Sequence, residues 1–166
     1  RFFYKPKNNN NMFQINQRNP IYDPQAVQPM RDELTAAGFT ELLTPADVDT
    51  FLGIKEGTSF VMINSVCGCA AGSARPGVTL ALQNSVIPDR VVTVFAGQDR
   101  DAVDHLRSAY LPGIPPSSPY MALFRGGELV FLMQRMNIEG KTADMVADEL
   151  IAAFNEHCEK EGPSVP

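Results

Sequence analysis

The chain has 166 residues, 44% of them hydrophobic, and a formal net charge of −5 from 14 basic and 19 acidic side chains. That length and apolar content bury a substantial core without a staple, so one α/β or α+β domain is the simplest organisation. Scattered basic residues in an acidic chain form neither a nucleic-acid footprint nor an anionic-membrane patch, which excludes both as partners. No run of about 18 apolar residues occurs, and Arg1–Pro24 lacks the apolar centre of a secretory signal, so a cytoplasmic address is the default.

Residues 1–23, with the asparagine run Asn8 to Asn11, are polar and aperiodic and predict a flexible arm; Met12 is a candidate native start. Folded structure is expected over 24–160, with a tail at 161–166. Val27, Met30, Leu34 and Ala37 recur at helical spacing, and Gly38 is placed to end that helix. Thr44-Pro45 reads as an N-cap with proline at the first helical position, opening a short helix through Leu52 that Gly53 closes. Ser59–Val66 is nearly continuous in apolar character, as a central strand buried on both faces would be. Ala70–Gln83 predicts a helix interrupted at Pro76-Gly77, since proline removes a main-chain bond and its ring crowds the carbonyl of Gly72. Arg90–Ala96 is a second buried strand and Asp99–Tyr110 a helix with acids in its first turn. A proline-punctuated loop, 113–119, leads into Tyr120–Phe124 and Glu128–Met133, which the Arg125-Gly126-Gly127 turn joins as an antiparallel hairpin. Thr142–His157 closes the chain as a helix with Val146, Leu150 and Phe154 on one stripe. The result is βαβ, helix, ββα, with no repeat and no second domain.

Cys67-Gly68-Cys69 sits between the first central strand and the following helix. The right-handed crossover makes that βαβ unit parallel, and ligands of such sheets gather beyond the strand carboxyl ends. A helix N-terminus favours the thiolate, the form that performs dithiol–disulfide chemistry. A thiol of pKa about 8.5 is roughly 10% ionised at pH 7.5, and on the order of 1 kcal/mol from a helix terminus brings that to a third or more. No Asp or Glu lies between Gly57 and Pro88, and Arg75 is the one charge there; the default for Arg75 is a solvated helix position, steering of an anionic small thiol being its alternative. Bridging Cys67 and Cys69 closes a small ring, so its disulfide should be comparatively oxidising, with Gly68 supplying backbone freedom. Zinc or copper would need further nitrogen or sulfur ligands, and His105, His157 and Cys158 lack ligand spacing, so no metal is expected. The histidines are expected on exposed helix faces, and Cys158 as a semi-buried structural thiol.

Asn64-Ser-Val-Cys-Gly-Cys-Ala-Ala-Gly72 with Ala74-Arg75-Pro76, Thr93-Val-Phe-Ala-Gly-Gln-Asp99, and Pro116-Ser-Ser-Pro119 with Met121-Ala-Leu123 resemble the bacilliredoxin family over roughly Pro29 to Cys158. The resemblance implies a thioredoxin-like fold, a central mixed β-sheet flanked by helices on both faces. It implies thiol–disulfide exchange, in particular removal of bacillithiol from S-bacillithiolated proteins, with weak disulfide isomerase activity. Cys67 would attack and Cys69 would be the second thiol, with Gly68, Ser118 and Pro119 contacting substrate. Bacillithiol and disulfide-bonded client proteins are the implied partners, and no prosthetic group is implied. Pro119–Glu128 is also similar to the thioredoxin segment where a cis-proline begins a strand, which makes Pro119 the candidate cis-proline, holding an edge beside the dithiol for an incoming chain. One residue between the cysteines, and no tryptophan before them, departs from thioredoxin. A redox-regulated binding module that docks a partner at that edge is the leading alternative, and a metal-binding protein the third.

Overall fold

The structure, a computed structural model, describes residues 18–163. Five strands form a mixed sheet: β1 (Thr40–Glu41), β2 (Thr58–Asn64), β4 (Arg90–Phe95), β5 (Tyr120–Arg125) and β6 (Glu128–Met133). Their order is β1-β4-β2-β5-β6, with β1, β4 and β2 parallel and β5 and β6 antiparallel to their neighbours. The remaining strands, β3 (Val86–Ile87) and β7 (Lys160–Glu161), pair with each other as an antiparallel ribbon. The helices are α1 (Pro24–Ala36), α2 (Pro45–Leu52), α3 (Arg75–Ala81), α4 (Arg100–Tyr110), α5 (Arg135–Ile138) and α6 (Ala143–His157). Among the described residues no helix is long and apolar enough to cross a membrane.

Alternation along β2 explains the layering. Successive side chains of a strand point to opposite faces, so Phe60 and Met62 join Leu34, Val78, Leu150 and Phe154 on one side. Val61 and Ile63 join Val48, Leu52, Val103 and Leu106 on the other. Every residue of β2 is buried, which accounts for its unbroken apolar run. On the first face Phe60 meets Phe154 edge to face, ring centroids 5.5 Å apart. Helices thus cover both faces of the sheet, as expected.

The caps follow the sequence. Thr44 and Asp47 form a reciprocal capping box at α2, and Thr142 caps α6 by accepting from the Met145 amide. The interruption expected at Pro76-Gly77 falls earlier, in a π turn, Ala70–Ala74, and α3 runs unbroken through both residues. Arg75 donates its N–H to Ala70 O, and Pro76, which has no N–H to give, falls in the first turn of α3 where none is required. Gly77 lets α3 close on α6, since a Cβ there would lie 2.7 Å from Val146 Cγ1.

The chain ends depart from expectation. Residues 1–17, most of the expected arm and with them Met12, lie outside the described residues. Residues 18–23 are fastened: Ile21 N–H donates to Gly97 O at 2.7 Å, and Tyr22 exchanges hydrogen bonds with the Gln98 side chain at 2.8 and 3.1 Å. At the other end, Lys160 and Glu161 pair with β3, and Gly162 N–H donates to Ser85 O, so the tail begins later than expected. The two-residue strands and α5 had no periodicity to reveal them.

Candidate active site

β2 ends at Asn64, and the next three residues turn the chain so that the dithiol follows the carboxyl end of this central strand. The Ser65 hydroxyl accepts from the Cys67 amide at 3.2 Å, a local side-chain-to-backbone turn. Cys67 O then takes the first helical bonds, from the amides of Ala70 at 3.1 Å and Ala71 at 3.3 Å. Cys67 and Cys69 are free, half-buried thiols with sulfurs 2.8 Å apart. Gly68 between them is exposed, and a Cβ added there would meet nothing. Its φ is not in the left-handed region, so in this thiol form glycine leaves the approach to the sulfurs clear rather than meeting a backbone demand.

The two sulfurs are electrostatically unequal. Burial pushes the Cys67 thiol up, but hydrogen bonds from the Cys69 thiol, the Ala70 amide, the Ser65 hydroxyl and the Cys69 amide together hold it below the ordinary thiol value. Burial, the hydrogen bond to Cys67 and the charge of Cys67 push Cys69 up to about 11, with Glu139 adding to the rise and Arg135 opposing it. One sulfur is therefore prepared as the anion and its neighbour as the proton holder.

Arg75 is not the solvated charge expected. It is 2% exposed, and its guanidinium donates to Glu33 Oε2 at 2.8 Å, Asn64 Oδ1 at 3.1 Å and Ser65 O at 2.8 Å. Asn64 Oδ1 also accepts from the Ser65 amide, and Asn64 Nδ2 donates to Met30 O. A hydrogen-bonded chain thus runs from α1 through Arg75 and Asn64 to Ser65, which holds the Cys67 amide. This burial removes Arg75 from contact with any incoming anion.

Pro119 follows a cis peptide bond and is buried at the start of β5. Tyr120 pairs with Ile63, which sets Pro119 opposite Asn64 at the end of β2 that carries the dithiol. β5 pairs with β2 from Tyr120 and with β6 from Met121, so the Pro119 backbone lies ahead of both ladders, next to the half-buried Ser117-Ser118. Arg107 donates to Ser117 O at 2.8 Å, and the Arg135 amide approaches Ser117 Oγ at 3.4 Å.

The other candidates stand apart. Cys158 is buried in the core under α6, and burial raises its thiol above the ordinary value. His105 and His157 are half-buried rather than exposed, the former bonded to Asp49 at 2.7 Å and the latter 3.7 Å from Glu156. Among the described residues no group of three or more His, Cys, Asp or Glu side chains could hold a metal ion. Sequence reasoning missed Ser65, Asn64, Arg135 and Glu139. The polar pair ending an apolar strand was a signal for the first two; nothing in the sequence brings residues 135 and 139 to a site at residues 67 and 69.

A family model described as Disulphide isomerase matches residues 22–158. A bacilliredoxin from Salinibacter ruber is 50% identical over 143 residues, 86% of this chain and 83% of its own length. Those from Halalkalibacterium halodurans and Cytophaga hutchinsonii are each 52% identical, over 83% and 82% of this chain and 95% and 99% of their own lengths. Among solved structures, oxidised thioredoxin O2 from Arabidopsis thaliana shares the fold at a TM-score of 0.50 and 14% identity, covering 72% of this chain and 96% of that one. The sheet is thioredoxin-like and carries a dithiol at the carboxyl end of a central parallel strand, and the matching family model and bacilliredoxin relatives put it in the class of the thiol–disulfide oxidoreductases. Within that class, the chain belongs to the bacilliredoxin family.

Proposed function

We propose that this protein removes bacillithiol from S-bacillithiolated proteins in the cytoplasm, with disulfide isomerisation as a secondary activity. The observation that carries the reading is the dithiol itself, two free sulfurs 2.8 Å apart just past the carboxyl end of β2, with hydrogen bonds holding Cys67 low and Cys69 pushed up to about 11 beside it. The Cys67 thiolate attacks the bacillithiol sulfur of the mixed disulfide. A Cys67–bacillithiol bond forms, the old S–S bond breaks, and the client departs as a thiolate that takes a proton from solvent. Cys69 then loses its proton and attacks Cys67, closing the Cys67–Cys69 disulfide, and the expelled bacillithiol sulfur accepts a proton. Two further thiols restore the dithiol: the first opens the Cys67–Cys69 bond as a mixed disulfide with one cysteine, and the second displaces that cysteine, the two leaving joined as their own disulfide. Gly68 leaves room for the mixed disulfide, and Ser118 with Pro119 lines the approach of the client chain.

The test incubates the reduced chain with oxidised bacillithiol and reads intact mass. A stable adduct is expected in Cys69→Ser and none in Cys67→Ser. An adduct that persists in Cys67→Ser, or that depends equally on Cys158, overturns the assignment. Turnover on a bacillithiolated client protein separates an enzyme from a module that is merely modified.

A further inference from the structure

We infer that Arg135 is the specificity-determining residue of this site: its guanidinium, beside the Ser118–Pro119 turn at the dithiol end of the sheet, receives the carboxylate of a negatively charged low-molecular-weight disulfide and selects it over neutral or cationic ones. The inference deepens the proposed thiol exchange and rests on it.

Two observations place the group. Arg135 opens α5, and its Nη1 reaches Ser118 O at 3.5 Å while its backbone amide approaches Ser117 Oγ at 3.4 Å, so the side chain lies against the segment that borders the dithiol. Its charge acts on both sulfurs, and each of them acts back on it. It is also accessible, with a side chain 45% exposed where that of Arg75 is 2% exposed. Arg107, on the inner side of the same loop, spends Nη2 on Ser117 O and lies over the Tyr120 ring.

The guanidinium has capacity to spare. Nε donates to Glu139 Oε1 at 2.7 Å and Nη1 makes only the long contact with Ser118 O; among the described residues Nη2 has no partner. An arginine carries five N–H donors in a planar fork that matches a carboxylate. Glu139, 54% exposed, neutralises Arg135 only through solvent-screened contact and yields to a carboxylate placed by the substrate. No Asp or Glu occurs from Gly57 to Pro88, so the strand and helix that carry the sulfurs oppose no anion.

The test uses the full chain in a Cys69→Ser background and three small symmetrical disulfides: dithiodipropionate, which is anionic, hydroxyethyl disulfide, which is neutral, and cystamine, which is cationic. In each case the Cys67 thiolate attacks one probe sulfur, the Cys67–S bond forms, the probe S–S bond breaks, and the released thiolate takes its proton from water. The probe itself is the oxidant. Initial rates of adduct formation are read by mass, and the quantity compared is the rate ratio between probes. A change in Cys67 ionisation moves all three rates alike and leaves the ratio fixed. Arg135→Gln is expected to lower the anionic-to-neutral ratio about fivefold, as loss of one exposed ion pair implies, and to raise the cationic-to-neutral ratio. Arg135→Lys, which keeps the charge, should retain most of the selectivity, and added salt should erode it in the unsubstituted chain. Ratios unchanged in Arg135→Gln overturn the inference while leaving the thiol chemistry intact. Absence of adduct with all three probes overturns the thiol chemistry and this inference together.

Discussion

Replacing Arg75 by methionine keeps the length of an apolar stem and removes the guanidinium, so it tests the hydrogen-bonded chain behind the dithiol. Three contacts go, but they do not count equally. Glu33 is half-exposed and returns to water at little cost. Asn64 Oδ1 keeps the Ser65 amide as a donor. Ser65 O, in a residue 6% exposed, is left without the donor it had at 2.8 Å. An orphaned buried acceptor costs about 1–3 kcal/mol. Relief from burying a charged guanidinium offsets part of that cost, and the lost Asn64 bond returns about 1 kcal/mol of it. The expected net loss is therefore about 2 kcal/mol, read as a lower urea midpoint at unchanged m-value. Because Ser65 loses an anchor on the side opposite Cys67, the pH midpoint of Cys67 alkylation should also rise. Stability within about 0.5 kcal/mol of the parent, together with an unshifted alkylation midpoint, would refute the claim that Arg75 positions the site.

Ser65→Ala removes one of the donors holding the Cys67 thiolate, so alkylation of Cys67 should require a higher pH, as a direct rate-against-pH profile would reveal. The sulfurs also tie stability to pH with opposite signs. Cys67, whose folded pKa is depressed, contributes stability that is present above the unfolded thiol value and lost as pH falls through its folded value. Cys69 is raised, so the unfolded chain ionises first and stability should fall as pH climbs from the ordinary thiol value toward about 11; denaturation series of the parent and Cys69→Ser over that range should diverge. Gly77→Ala forces a Cβ to within 2.7 Å of Val146 Cγ1 and should cost about 1–3 kcal/mol by urea melts, with Val146→Ala recovering part of it. Gly68→Ala meets no neighbour and should leave the urea midpoint unchanged, while a slower conversion of the Cys67 adduct to the internal disulfide would reveal whether ring closure needs glycine.

The layered architecture was legible because its parts are periodic or punctuated. The apolar run of β2, the Thr44-Pro45 cap and the Gly-containing turn of the β5–β6 hairpin each carry a local physical signal, and each appears where the sequence puts it. The pair Cys67 and Cys69 and the candidate cis-proline were likewise readable, as was the resemblance that joins them. Arg75 was misread because charge alone defaults to solvent; only the fold brings Glu33, Asn64 and the Ser65 carbonyl around it. Arg135 comes to the Ser117-Ser118 segment on a four-residue helix too short for any pattern to announce.

β2 lies in the middle of the sheet, laddered to β4 on one flank and to β5 on the other. Its amides should be among the last in the molecule to exchange with deuterated solvent, in either oxidation state. Conversion between dithiol and disulfide should therefore leave the strand itself in place and draw its movement from the residues past Asn64, which a comparison of exchange maps of the two forms would show. A rigid strand beneath a yielding turn would put the signal of a spent molecule at the sulfur bridge.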